Sequence, residues 1–342
     1  MKRSIYCVSL LLLVFFPLRN LASEVYTNRS FKSSSGKWGI VDENLRIIIP
    51  AVYKNAGLFT GDVANVRIDD ITWGFVNKDN KLLFSVKAKE LYPLFDGWAR
   101  YRDLNGMYGF VNEKGDFLFS GLTWAADFNE ECAPVRKKKK GQCTYINTAG
   151  VTEFPGFESE ISYSFDHGYA VTVKDGKRGV IDRKGTTVIK CMYKWIEYKG
   201  DKYWQVINPE EAASSYLINA AGIRIGKILI KQCSKIYDGA AFVNLPAESH
   251  ENFRKYEIAD DAVSSLYENW ILENGNTCST ILAISRRGKD GIWHTYLEDR
   301  NGQPVCSLVF DEFLDEINGI LRMQKGGKEY YVNSSGAVFL PE

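Results

Sequence analysis

The sequence predicts an all-β fold of tandem antiparallel three-stranded repeats, each about 35 residues long, with one helical insertion. Three observations predict it. First, the stretch Gly36-Lys37-Trp38-Gly39-Ile40-Val41-Asp42 returns as Ile71 to Asn77, Gly106 to Asn112, Gly141 to Asn147 and Gly176 to Asp182, each copy starting 35 residues after the last. Second, apolar residues alternate within each copy, which is the period of a strand. Third, each copy ends on Asp or Asn, and Gly115, Gly150 and Gly185 follow at a fixed distance, the signature of a tight hairpin turn.

The first strand of each unit carries the repeated pair. Trp38 and Ile40 face one way, Gly39 and Val41 the other; Trp73 with Phe75 and Tyr108 with Phe110 repeat the pattern. Gly39, Gly74, Gly109 and Gly179 remove a side chain beside the large residue and so permit a close approach of backbone or ring. The first two copies lack the turn glycine, and Asn44 and Asn80 are the expected stand-ins. A second strand follows, clearest as Ile47-Ile48-Ile49-Pro50, then a looser stretch with Tyr53 or Tyr193. The third piece is Phe-x-x-Gly followed by Ala and an apolar residue: Phe59, Gly61, Ala64, Val66, and again Phe95, Gly97, Ala99, Tyr101. Short turns between these pieces give a meander.

Trp-Gly-[Phe/Ile]-[Val/Ile]-[Asp/Asn], an Ile-Pro-type strand and Phe-x-x-Gly-x-Ala-x-Val together resemble the WG-repeat family. The resemblance covers about residues 36–245 and implies all-β repeats used for binding or scaffolding. It brings no common catalytic residues. The chain departs from the pattern at Cys143-Thr144 and at Arg178, where the Trp is lost.

The remaining segments divide as follows. Residues 1–23 read as a secretory signal: Lys2 and Arg3, the apolar run Ile5 to Phe16, and small residues for cleavage after Ala22 or Ser23. Residues 24–35 are Ser-rich and read as a flexible lead-in. Residues 36–246 hold units one to six. In 247–275, Phe253, Tyr256, Asp260, Val263, Leu266, Tyr267, Trp270 and Ile271 recur at three- and four-residue steps, which predicts a helix capped by Asp260 or Asp261 and ended by Gly275. Residues 276–342 are degenerate units, for about seven to eight in all. The unequal units favour an open, solenoid-like array; a propeller-like closure is the alternative.

Net charge is +1, which gives no bulk field toward nucleic acid. Seven cysteines are present; Cys7 leaves with the signal, and Cys132 and Cys143 flank a hairpin, the best candidates for a disulfide. Only His167, His250 and His294 occur, and no metal, nucleotide or nucleophile motif accompanies them. No catalytic, cofactor or metal residues are assigned. The run Arg136 to Lys140 reads as a solvated turn, or as a contact for an acidic polymer or lipid headgroups. The reading is a non-catalytic, exported binding or scaffold protein for protein partners at the cell envelope, periplasmic, outer-membrane-associated or extracellular. Carbohydrate or cell-wall binding through exposed aromatics is the alternative, and a hydrolase ranks behind both.

Overall fold

The computed structural model describes residues 28–210, 215–234, 236, 239–246, 254–263, 281–287, 292–299 and 303–342. The described residues form nine small antiparallel sheets in chain order and no helix. A complete sheet is a four-stranded meander. In the second sheet the lead strand is Asn55–Thr60, the Ala strand Val63–Arg67, the Trp-Gly strand Thr72–Asn77 and the edge strand Leu82–Lys87. The third sheet repeats this with Glu90–Phe95, Trp98–Arg102, Tyr108–Val111 and Phe117–Leu122. The first sheet shows its Ala, Trp-Gly and edge strands, Asn28–Lys32, Trp38–Asp42 and Ile47–Tyr53. The fourth runs from Trp124 to Glu153, the fifth from Ile161 to Tyr193, the sixth from Trp195 to Ile230, the seventh from Gln232 to Val263, the eighth includes Ile281–Arg287 and Trp293–Asp299, and the ninth runs from Glu312 to Phe339.

Units are therefore four-stranded rather than three-stranded. The lead strand was hidden in the looser stretch, because it is broken by bulges and mixes exposed with buried residues; Pro93 even lies within one. The Phe-x-x-Gly-x-Ala motif is not one strand but the hairpin joining lead and Ala strands, with Phe59 paired across it to Ala64.

The cores lie between sheets, not within them. Trp73 and Phe75 of the second sheet pack with Leu91, Ala99 and Val111 of the third, while Ala64, Val66 and Val76 pack backward on Ile40 and Ile49 of the first. The two faces of the Trp-Gly strand thus serve two neighbours, as the alternation predicts. Each buried large side chain contributes about 1.5–3 kcal/mol before conformational entropy is subtracted, so a unit gains its core only by having neighbours.

Four other expectations change. The lead-in is a strand: Asn28, Arg29 and Phe31 are buried, and Asn28 accepts from the Phe59 amide at 2.9 Å. The predicted helical insertion is not one in its described part. Arg254–Glu257 and Ala262–Val263 are strands of the seventh sheet, because Tyr256 and Ile258 alternate into the core between the sixth and seventh sheets. Asp261 sits at a turn with φ of 50° instead of capping a helix; residues 264–280, with Leu266, Tyr267, Trp270, Ile271 and Gly275, lie outside the described residues. Nine sheets replace the seven to eight units expected.

The array is also not open. The ninth sheet packs on the first: Ile320 and Tyr331 join Phe31, Val41 and Leu45 in one core, Phe31 and Phe339 meet edge to face at 5.1 Å, and the Ser34 amide donates to the Glu342 carbonyl at 2.9 Å. Arg29 reaches across to the Ile320 carbonyl at 2.6 Å and to Asp315. Asn318 and Asn333 add bonds to Asn28 and Glu43 carbonyls at 3.0 and 2.8 Å.

Candidate interaction surface

The Trp-Gly residues serve the frame. Trp73 is buried, its indole N–H donating to the Lys89 carbonyl at 3.2 Å, whereas Trp38 is half-buried under Lys32. Tyr108 is half-buried against the core shared by the third and fourth sheets. The glycines have a steric reason. The edge strand bulges opposite Gly39, Gly109 and Gly179, and a Cβ at Gly39 or Gly179 would stand 2.5 Å from the Ile49 or Ile189 carbonyl oxygen. At Gly74 and Gly109 it would meet the Phe84 and Phe119 carbonyls in the same way. Thr144 occupies this position in the fourth sheet, and there the edge strand is cut to Thr152–Glu153.

The turn after each Trp-Gly strand is nearly invariant. The side-chain oxygen of Asp42, Asn77, Asn112, Asn147, Asp182, Asn219, Asp299 and Asn333 accepts from the amide four residues on, at 2.8–3.0 Å. The left-handed residue of this turn is glycine in most copies and Asn80 in the second, as expected. In the first it is Leu45 rather than Asn44, with φ of 63°. Its buried side chain in the core against the ninth sheet offsets the backbone cost.

The opposite ends of the strands are different. There the turn from Ala strand to Trp-Gly strand spans 33–37 in the first sheet, 68–71 in the second, 137–143 in the fourth, but only 175–176 in the fifth and 326–327 in the ninth. Its charge varies as widely, from exposed Asp69 and Asp70 to exposed Lys137 to Lys140. An antiparallel meander places all these turns, with the links between sheets, on one rim. That rim is the variable surface of a constant frame.

Groups of catalytic type are dispersed and engaged in structure. Glu130 accepts from the Gly168 amide of the next sheet at 2.9 Å, and Asp96 accepts from the Glu131 amide at 2.6 Å. Glu160 accepts from the amides of Asp175 and Gly176, Asp261 from Lys227 and the Tyr256 hydroxyl, and Asp311 from Gly326. Glu316 lies beside Arg29 at the contact of first and ninth sheets, its carboxyl pushed up by burial. His167 is exposed in its turn, 2.8 Å from Asp166 and stacked near Tyr198. Among the described residues no three His, Cys, Asp or Glu side chains are placed to hold a metal.

The proposed disulfide is absent: Cys132 and Cys143 are buried free thiols. Cys132 lies opposite Asn147, and Cys143 is one residue beyond the Val135–Thr144 pair, so the two are about 13 Å apart along the ladder. Burial pushes the Cys132 thiol up to about 11 and Cys233 to about 12, which leaves both protonated and unreactive.

Among solved structures, a eukaryotic initiation factor shares the fold with a TM-score of 0.60, at 10% identity over 93% of this chain and 96% of that one. The dihydro-heme d1 dehydrogenase NirN scores 0.49, at 10% identity over 92% of this chain and 77% of that one. BamB from Moraxella catarrhalis scores 0.45, at 11% identity over 83% and 94%. Structural neighbours of the chain are β-propeller proteins. No curated protein matches the sequence. The family model described as WG containing repeat matches three times, at residues 38–70, 108–140 and 179–204, in each case starting within the Trp-Gly strand of the first, third or fifth sheet. Three stretches of the chain thus match the WG containing repeat.

Proposed function

We propose that this chain is an exported, non-catalytic binding ring that holds protein partners at the cell envelope. The observation that carries the reading is the contrast between the two rims. Trp, Gly and Asx residues repeat because the frame needs them, while the turns on one rim differ in length and charge from sheet to sheet. A rigid scaffold with variable loops on one side is the usual arrangement of a binding surface. Export rests on Lys2, Arg3 and the apolar run Ile5 to Phe16. The carbohydrate reading keeps the exposed rings of Phe95, Phe117 and Tyr163, whereas no tryptophan whose side chain is described is exposed.

Affinity capture from envelope fractions, with cross-linking, tests the proposal. The expected result is a reproducible protein partner that free glycans do not displace. Displacement by a glycan, or no partner at all, contradicts it. N-terminal sequencing of the captured chain is expected to begin at Ser23 or Glu24; retention of Met1 sinks the cleaved-export part.

A further inference from the structure

The variable rim carries one strongly charged region, and the structure joins it from two sheets. Lys137, Lys138, Lys139 and Lys140 lie exposed in the fourth sheet's turn, closed by the Gly141 amide donating to the Lys138 carbonyl at 2.8 Å. Lys174 and Lys177 flank the short turn of the fifth sheet and are also exposed. Both turns are tied to one residue. Arg136 donates to the Glu160 carbonyl, while the Glu160 carboxylate accepts from the Asp175 amide at 2.8 Å and the Gly176 amide at 3.2 Å. The Cys143 amide bonds the neighbouring Ser159 carbonyl at 2.7 Å. The anchoring holds the two sets of lysines side by side on the same rim. Arg178 adds a cation over the exposed Tyr163 ring, 5.9 Å from its centre.

We propose that this two-turn patch is the docking site for an acidic segment of a partner protein; the inference rests on the protein-binding reading above. Unlike Arg136, whose guanidinium bonds inward, the six lysines make no ion pair within the described residues, so their charges face solvent. The overall charge of +1 means that the attraction is local rather than a property of the whole chain. The width of the patch selects among anionic partners. Exposed Asp69 and Asp70 on the second sheet and Glu210 on the sixth share the rim. A flat anionic membrane would meet these carboxylates together with the lysines, whereas a narrow acidic segment meets six lysines against only the neighbouring carboxylates of Glu158, Glu160 and Asp175. Ammonium groups on long stems act as adaptable point charges and suit an extended carboxylate-rich chain rather than one fixed bidentate ligand.

The test is a fluorescence-anisotropy titration of the full mature chain with a labelled oligoglutamate peptide. Three proteins are compared: the unchanged chain; Lys137→Gln with Lys138→Gln, Lys139→Gln and Lys140→Gln; and a charge-matched control, Lys78→Gln with Lys81→Gln, Lys114→Gln and Lys184→Gln, on the invariant turns. The expected result is a loss of about tenfold or more in affinity for the patch variant alone, since four screened charge pairs are lost together, and abolition of binding near 1 M salt, where charges are screened beyond about 3 Å. Equal losses in both variants, or no loss, overturn the proposal. So does tighter binding of the unchanged chain to phosphatidylglycerol vesicles than to the peptide. A partner captured from envelope fractions equally by patch variant and unchanged chain overturns this inference and leaves the protein-binding reading standing; capture of nothing by either removes the reading itself.

Discussion

Two interfaces of the molecule occupy equivalent places and are built differently. Between the first and second sheets, Ala64 sits opposite Val76 and packs on Ile40 and Ile49 in an apolar contact. Between the ninth and first sheets the equivalent residue, opposite Val41, is Arg29. Its side chain is 3% exposed and pairs with Asp315, which also holds Arg322 at 2.5 Å. Ala99, Ala133 and Ala170 keep the small residue at the third, fourth and fifth sheets. The difference follows chain connectivity. The contact of Asn28 with Phe59 spans 31 residues, whereas that of Arg29 with Ile320 spans 291. An interface between neighbours in sequence forms with little loop entropy; the one that joins the ends bears the largest closure cost. It must also select the ninth sheet among several with similar apolar faces. An ion pair whose cation is buried is a weak source of stability but discriminates strongly against partners that leave that charge unpaired. We hypothesise that Arg29 specifies closure.

The largest expected effect comes from moving the charge. Ala64→Arg places a guanidinium where the neighbouring sheet offers Ile40 and Ile49, and chemical denaturation should show a loss of about 4 kcal/mol or more; a small loss would mean that these interfaces tolerate charge and that the seam is not special. Next, Asp315→Ala removes the half-exposed carboxylate from Arg29, which keeps the Ile320 carbonyl and the nearby Glu316, and should cost about 1–3 kcal/mol by the same measurement. If the cost is below about 1 kcal/mol, the pair is a surface ion pair in effect.

Smaller effects sharpen the contrast. Gly39→Ala and Gly179→Ala both drive a Cβ into the bulged edge strand of their own sheet. Each should cost about 1–3 kcal/mol, with the larger fall in melting temperature at Gly39, whose Cβ also meets the Phe31 ring of the seam core at 2.8 Å. An equal fall at both would show that the seam core absorbs the Phe31 contact. The least effect concerns Glu316, whose folded-state carboxyl is raised by burial, with Arg29 opposing. A raised carboxyl favours the protonated form in the folded chain. Its contribution is therefore most favourable below its ordinary range and turns unfavourable as pH rises through the folded value. Glu316→Gln should raise the melting temperature at neutral pH and leave it unchanged in acid; the opposite pattern would show that the Arg29 attraction outweighs burial.

What the sequence disclosed follows the same division. A Trp-Gly strand and its Asx turn are legible because one residue type at one spacing does one physical job: Asn112 accepts the Asp116 amide as Asn77 accepts that of Lys81. The glycine was readable as a close approach, though not that the Ile49 carbonyl was the approaching group. The lead strands were missed because their register breaks, at Ala56 to Phe59 and Leu91 to Leu94, erase the alternation that marks a strand. Tyr256 fell into a helical spacing only by ignoring Ile258, two residues on and buried beside it. The Cys132–Cys143 pairing failed because cysteine spacing carries no register. Closure was legible only as the alternative to an open array. No period encodes a contact across 291 residues, and the strand that makes it, Asn28–Lys32, leads into a Ser-rich turn and lacks the apolar run that marks a core strand.

The contact between the ninth and first sheets is the central claim, and small-angle X-ray scattering of residues 24–342 in solution tests it most directly. A closed array predicts a radius of gyration of about 20 Å, that of a compact chain of this length, with no long tail in the distance distribution. Nine sheets stacked about 10 Å apart without closure would extend to about 90 Å; an elongated particle of that length would contradict the account.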